Sequence, residues 1–479
     1  MPSEIAFVET LLKWWQLDSH LIAISLFLRL VGLIYVIAFI SILVQVKGLF
    51  GKHGILPVRD YLALLKRLGV ERFYYIPTLF WINSSDEALV GICFLGTLMG
   101  GLLAIGFLPL LMLILLWICY LSFKSIGQDF LNFQWDALLL EVGFVSILVA
   151  AAGPSSLGVI LLWFLLFKFM FMAGFVKITS HDRSWRDLTA LSYHYETQPL
   201  PHRFSWYAHQ LPLWFQKLTT VSTLFLEILV PFLVFGPSEL RLAAFALLAI
   251  LQLMIILTGN YGPFNLLSLV MLVPLLNDTV LQPFAMVSLI PFPFLPQLLF
   301  TIIALGLMLL NSIHLLTLFS SKIPGQSILH FFGPIEISNP YGIFAVMTTK
   351  RYEILVDWSN DGKKWYEYEF KWKPQNPAEA PPISMPHMPR LDWLMWFLPF
   401  NPYDSTPWFL KFLGKLLENS PDVLSLLRNG PKDPPLYVRA LVYEYRFTDW
   451  KTRQKTGNWW KVKFIGSYTP IASRTYSVT

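Results

Sequence analysis

The segment KITSHDRSWRDLTALSYHYETQPLPHRFSWYAHQLP, residues 177–212, lies between two long apolar stretches. Within it His181, Trp185, His194, Trp206 and His209 are interleaved with Asp182, Arg183, Arg186 and Glu196. Most connections run to about 4 to 6 residues, and those beyond roughly 15 are functional or disordered. The aromatic content argues against disorder. Two readings fit the pattern: an ordered amphipathic cap lying on a membrane, and a binding surface. Interfacial tryptophan and tyrosine serve either.

The rest of the composition names the solvent. Of 479 residues 55% are hydrophobic and only 14% charged, which excludes a soluble globular chain. The net charge of +6 has no recognition fold around it to suggest nucleic acid, and fits contact with anionic lipid surfaces. Cys93 and Cys119 fall inside apolar segments and read as small hydrophobes. No disulfide framework, CxxC pair or zinc cluster can be assembled from them.

Upstream of the central loop, residues 1–20 lack the basic start and apolar core of a cleaved signal peptide and read as an interfacial helix anchored by Trp14 and Trp15. A first span is expected at 21–46, long enough for the roughly 20 residues that cross a bilayer. Arg29 sits inside it, where a charge normally faces the bundle interior. A basic loop, 47–87, precedes two spans near 88–106 and 108–123. Asp136 and Glu141 then mark the entry of a span at 136–152. At 100° per residue they stand about 140° apart around a helix, so paired acid and base catalysis by these two is not expected. Lys168 lies in a fifth span, 157–177, which leads into the central loop.

Downstream, spans are expected at 219–236, with Glu227, and at 239–257. Glu227, Arg29 and Lys168 are candidates for buried pairing, and charge compensation is the simpler account of all three. The polar break at 258–265 gives Asn260, Tyr261 and Asn265 two readings, a cavity lining or a turn between spans. Residues 281–295 look interfacial, and His314 in the last span, 297–319, reads as a hydrogen-bonding histidine. The 21–322 region is therefore a transmembrane helical bundle of about eight or nine spans with long loops at 47–87 and 178–218. After Lys322 the pattern alternates. YEILVDW and YEYEFKW flanking Asp361-Gly362 predict a hairpin, helical stretches follow near 405–428, and 437–447 and 458–468 read as a second strand pair. Residues 325–479 form a β-rich, α+β domain with a helical insertion, so the fold class is a polytopic α-helical membrane protein with a C-terminal soluble sheet domain.

No GxSxG elbow, Walker loop, HExxH or dinucleotide fingerprint occurs in its required setting. No catalytic residue, metal site or cofactor is assigned. Several blocks in order are similar to the lipase maturation factor family: FQWDALLLEVGF at 133–144, FMAGFVKITSHDRSW at 171–185 and on through 212, GNYGPFNLL at 259–267, FAVMTTKRYEI at 344–354, SNDGKKWYEYEFKWKP at 359–374 and PHMPRLDWLMWF at 386–397. The resemblance implies a polytopic membrane protein that assists folding and dimer assembly of secreted lipases, in the endoplasmic reticulum of a eukaryote. The ending RTYSVT carries no retrieval signal, and a bacterial homologue in the inner membrane is the other expectation. The partners implied are client proteins and membrane lipids. The client-binding residues expected in the loop are Trp185, His194, Tyr195, Glu196 and Trp206. The competing class is an intramembrane enzyme or transporter that uses Arg29, Lys168, Glu227 and the 258–265 break around a lipid-like or quinone-like ligand. Nine spans place loops 47–87 and 178–218 and the sheet domain on one side. Their lysines and arginines point that side to the cytoplasm, whereas the resemblance points it to the lumen.

Overall fold

A computed structural model describes residues 19–153, 155–283, 294–320 and 322–474; the expected N-terminal helix with Trp14 and Trp15, and most of the interfacial 281–295 stretch, lie outside them. Among the described residues, eight helices are long and apolar enough to cross a membrane. They are α1 Leu21–Leu43, α2 Asp86–Ile105, α3 Pro109–Ile126, α4 Gln134–Ala152, α5 Ser156–Thr179, α6 Leu213–Phe235, α7 Ser238–Thr258 and, after a shorter α8 at Phe264–Leu275, α9 Gln297–Thr317. The sequence sets their ends. Ser85 caps α2 by accepting from Ala88 N–H, with Asp86 and Glu87 in the first turn, and Ser155 caps α5 through Gly158 N–H. Pro109 opens α3, and left-handed Gly106 closes α2. Helices α1 and α2 cross closely at Gly32 and Gly100, where a Cβ on Gly32 would stand 2.7 Å from the Gly100 carbonyl oxygen. Small residues provide such approaches where lipid removes the hydrophobic drive to associate.

Helix α8 decides the connectivity. Near its start, Asn260 donates to the carbonyls of Leu200 (3.2 Å) and Pro382 (2.9 Å), on the face that carries the central loop and the sheet domain. Beyond its end, Asp278 accepts from Leu21 N–H (2.9 Å) and Ile22 N–H (2.8 Å), and the Leu276 carbonyl meets the His20 imidazole (2.9 Å). The start of α1 lies on the opposite face, so α8 crosses. Its helical length of about 18 Å, at 1.5 Å per residue, falls short of a hydrocarbon core of about 30 Å. Irregular backbone makes up the difference, and Asn260, Tyr261 and Leu276 there are buried in protein, as backbone at membrane depth must be. Among the described residues nine crossings result. Loops 44–85 and 180–212 and the sheet domain share one face.

The sheet runs β2-β1-β3-β4, antiparallel throughout, from β1 Arg351–Ser359, β2 Tyr366–Glu367, β3 Tyr437–Phe447 and β4 Trp460–Ser467, with a short β5, Ala472–Ser473, on β3. Ile354 pairs with Val442 and Val356 with Ala440, and this face is buried together with Leu391, Trp393, Phe409 and Phe412 of the helical insertion. The expected hairpin forms, with Trp358 opposite Tyr366, but its second strand stops at Glu367. Tyr368 N–H still reaches the Val356 carbonyl (2.8 Å), and further on the N–H groups are taken by side chains: Gln375 accepts from Phe370 (2.8 Å), and Asp392 from Trp372 (2.7 Å) and Lys373 (3.0 Å).

Two buried ion pairs on α4 hold the domain to the bundle. Glu141 meets Lys168 of α5 at 2.5 Å, with neither side chain exposed. Lys168 also donates to Asn311 Oδ1 of α9 (2.7 Å) and the Asn339 carbonyl (3.0 Å). The second oxygen of Glu141 accepts from Asn339 N–H (3.1 Å) and the Tyr341 hydroxyl (2.6 Å). Asp136 receives Arg390 of the sheet domain in a two-pronged pair, 2.6 and 2.7 Å, and the Tyr120 hydroxyl at 2.6 Å. Removing one partner of a buried pair leaves an uncompensated charge, at a cost of roughly 3 to 5 kcal/mol. Glu141→Gln and Lys168→Met are each expected to lose about that much in thermal or denaturant unfolding of nanodisc-embedded protein. The double variant should lose less than the sum. Wild-type stability in Lys168→Met would show that the pair does not hold the 338–341 segment.

Candidate functional site

The central loop folds as three short helices, Arg183–Arg186, Ala190–Thr197 and Arg203–His209. Asp182 caps the first by accepting from Ser184 N–H (2.8 Å) and takes Met347 N–H (3.2 Å) on its other oxygen. Pro199 and Pro201 supply no N–H to continue the second. The third opens in a reciprocal cap, His202 Nδ1 accepting from Phe204 N–H (3.1 Å) and Ser205 Oγ from His202 N–H (2.9 Å).

What it touches is the sheet. The Arg351 guanidinium donates to the carbonyls of Glu196 (3.1 Å), Gln198 (2.5 Å) and Pro199 (2.9 Å), and pairs with Glu353 at 2.5 Å. Glu353 in turn holds Lys373 at 2.9 Å. Trp206 is fully buried with Tyr445, Phe447 and Trp460, its Nε1–H donating to Thr448 Oγ1 (3.3 Å). The Arg453 guanidinium lies 4.5 Å from the Trp206 ring centre and 3.5 Å from that of Trp459. Glu196 accepts from Phe447 N–H (3.0 Å), and His209 Nε2 stands 3.7 Å from the same oxygen.

Of the five loop residues expected to meet a client, Glu196 and Trp206 lie on this seam, and Trp185 and His194 pack on Phe344 ahead of β1. Trp185 is buried and donates to the Phe344 carbonyl (3.0 Å). Tyr195 and Trp206 are buried as well, while His194 and Glu196 keep partial exposure. His194 Nε2 is 3.1 Å from the Tyr261 hydroxyl, which donates to Gln198 Oε1 (2.9 Å), and its ring meets Phe344 edge-on. Burial, aided by the Lys177 charge, pulls the His194 imidazole down from 6.5 to about 4. Burial also lowers His202, and lowers His209 against the opposing pull of Glu196.

The polar residues of the bundle pair differently from the sequence expectation. Lys168 goes to Glu141, and Glu227 goes to Lys177 (2.6 Å), so neither meets the other or Arg29. Arg29 donates to the Ala104 carbonyl (3.2 Å). Asn260 also accepts from Ser384 N–H (2.9 Å), and Asn265 donates to Gln252 Oε1 (2.7 Å). Both asparagines are buried joints rather than cavity lining. His314 is hydrogen-bonded to the Ser338 carbonyl (3.2 Å). Sequence reasoning passed over Arg351, Arg390 and Arg453. Only Arg351 left a local signal, Glu353 two residues along the strand and so on the same face. Among the described residues no three of His, Cys, Asp and Glu are grouped to hold a metal ion. The chemistry present ties one part of the chain to another.

Residues 22–283 match the family described as the lipase maturation factor transmembrane domain, and residues 337–470 that described as the lipase maturation factor C-terminal domain. The chain is 32% identical to Lipase maturation factor 2 of Xenopus tropicalis over 91% of its own length and 80% of the relative's. For Lipase maturation factor 2 of Homo sapiens the identity is 32%, over 94% and 82%. For Lipase maturation factor 1 of Homo sapiens it is 32%, over 93% and 87%. No solved structure matches.

A histidine held neutral by the fold stabilises it fully above its unfolded value of 6.5, and that stability is lost as pH falls from there toward 4. Protection factors over 190–212, from hydrogen exchange corrected for the intrinsic pH dependence of amide exchange, are therefore expected to fall between pH 6.5 and 4. His194→Asn should lessen the pH dependence without abolishing it, because His202 and His209 are lowered too. Exchange with equal pH slopes in both proteins would remove His194 from the seam's energetics.

Proposed function

This chain belongs to the lipase maturation factor family, and we propose that it is a membrane-embedded maturation factor assisting the folding and assembly of secreted lipases. One observation carries the reading to a place in the molecule: buried Arg351 and Trp206 join the central loop and the sheet into one body on a single face of the bundle. A maturation factor must present a fixed surface to a partly folded client. It need not transform it chemically, and Arg351, Glu353, Lys373, Glu196 and His209 of this seam are engaged with one another or with backbone groups.

A secreted client folds outside the cytoplasm, so the same reading places the loop and sheet on the non-cytoplasmic side. In a eukaryote that is the lumen of the endoplasmic reticulum. In a bacterium it is the outer side of the inner membrane, with another exported protein as client. Trp185, His194, Tyr195, Glu196 and Trp206 then serve client binding from beneath, by fixing the outline of the surface above them.

The test is rescue of active lipase secretion in cells deprived of their own maturation factors. The wild-type chain is expected to restore it. His194→Ala and Glu196→Gln should reduce the yield by about tenfold, the equivalent of 1.4 kcal/mol, at unchanged membrane level. A wild-type chain present at normal level without rescue would overturn the lipase reading. Cysteines placed at Ser192 and Ser467 should react with an impermeant reagent only from the non-cytoplasmic side, and reaction from the cytoplasm would overturn the assignment of sides.

A further inference from the structure

Between α1 and α2 the chain makes two different surfaces. Its first part, Val46–Phe50, packs on the sheet domain, where Gly48 lies against the Asp422 carbonyl and Ser420 donates to the His53 carbonyl (2.7 Å). Its second part begins with the helix Val58–Leu65, which buries Val58 and Leu62 in the core, and continues in tight turns through Tyr75 that are exposed almost throughout from Ala63. Leu64 is 65% exposed, Val70 82% and Phe73 50%. A second segment, Gln326–Phe332, follows the end of α9 and abuts this one. The Tyr74 hydroxyl donates to the Phe331 carbonyl, the two rings are 5.7 Å apart, and Phe331 is itself 61% exposed.

We propose that 58–75 and 326–332 together form an in-plane interfacial platform that binds anionic phospholipid. Connectivity restricts where it can be: 58–75 is tied between α1 and α2 and 326–332 follows α9, all three span ends on the face that carries the sheet domain. Bulky apolar side chains grouped with exposed Arg59, Lys66 and Arg67 are the composition of a segment that sinks its apolar side to the acyl boundary and holds phosphate with its cations. In water the same patch would be a liability. Asp60 and Glu71 are exposed in the same segment, so Arg59, Lys66, Arg67 and Arg72 leave it a net charge of +2, and that balance favours an anionic lipid over a zwitterionic one. The inference is independent of the maturation reading.

The experiment uses the full chain in nanodiscs of phosphatidylcholine, alone or mixed with phosphatidylglycerol. A nitroxide on Val70→Cys reports collisions with oxygen, which partitions into lipid, or with a water-soluble nickel chelate. Cys93 and Cys119 are buried and leave the label to the new site. Exposed Asn360→Cys, in the hairpin turn, is the water-side reference. In the mixed lipid, position 70 is expected to show an oxygen-to-nickel ratio several-fold above that at 360. The ratio should fall toward that of pure phosphatidylcholine when Arg59, Lys66 and Arg67 are all changed to Gln. Nickel access at 70 equal to that at 360 in both lipids would overturn the proposal and leave the patch to a protein partner. Shielding indifferent to phosphatidylglycerol and to the triple change would overturn the anionic preference.

Discussion

Glu141 and Lys168 meet where neither is exposed, so each charge stands only because the other does. A single contact does not complete either group. Lys168 needs further acceptors and Glu141 further donors, and the chain provides them from Asn311 on α9 and from Asn339 and Tyr341 beyond it. The 338–341 segment is thereby drawn into the bundle at the point where the chain leaves its last span for the sheet. The polarity of two side chains fixes where the last third of the protein begins.

Asp136 sits on the same helix, five residues earlier. A separation of about 140° denies the two carboxylates a common site, and the same geometry lets them hold different parts of the chain. Asp136 faces Arg390, whose backbone N–H donates to Gln45 Oε1 (2.9 Å) just past the end of the first span, while the neighbouring Met388 N–H donates to Ser41 Oγ (2.9 Å) within it. Gly262, at a positive φ of 56°, lets the chain pass beneath Met388, where a Cβ would come within 2.9 Å. The helix that carries both acids is almost wholly buried among its neighbours, as expected of an element that must remain dry on two sides.

The spans and the sheet were legible because each is written in one local period: long apolar runs for the bundle, two-residue alternation for β1 and β3. The pairing of the buried charges was not. Lys168, Lys177 and Glu227 could be recognised as costly in a membrane, but composition cannot say which carboxylate a lysine reaches when the partners are 27 and 50 residues away. The loop failed to declare its role for the same reason. Trp206 on a surface and Trp206 in a seam look identical in sequence, since the residues that cover it, Tyr445, Phe447 and Trp460, lie far along the chain. Arg390 had no local signal at all.

The attachments taken together determine more than any one does. The sheet domain is tied at 338–341 to α4, α5 and α9, at 386–390 to α1 and α4, and through Arg351 and Trp206 to the central loop, which leaves α5 and enters α6. These anchors reach different helices, so a tilt that relaxed one would strain the others. Each rests on groups too costly to leave unpaired in low dielectric. The surface formed by loop and sheet is consequently held at a set height and angle over the helical bundle.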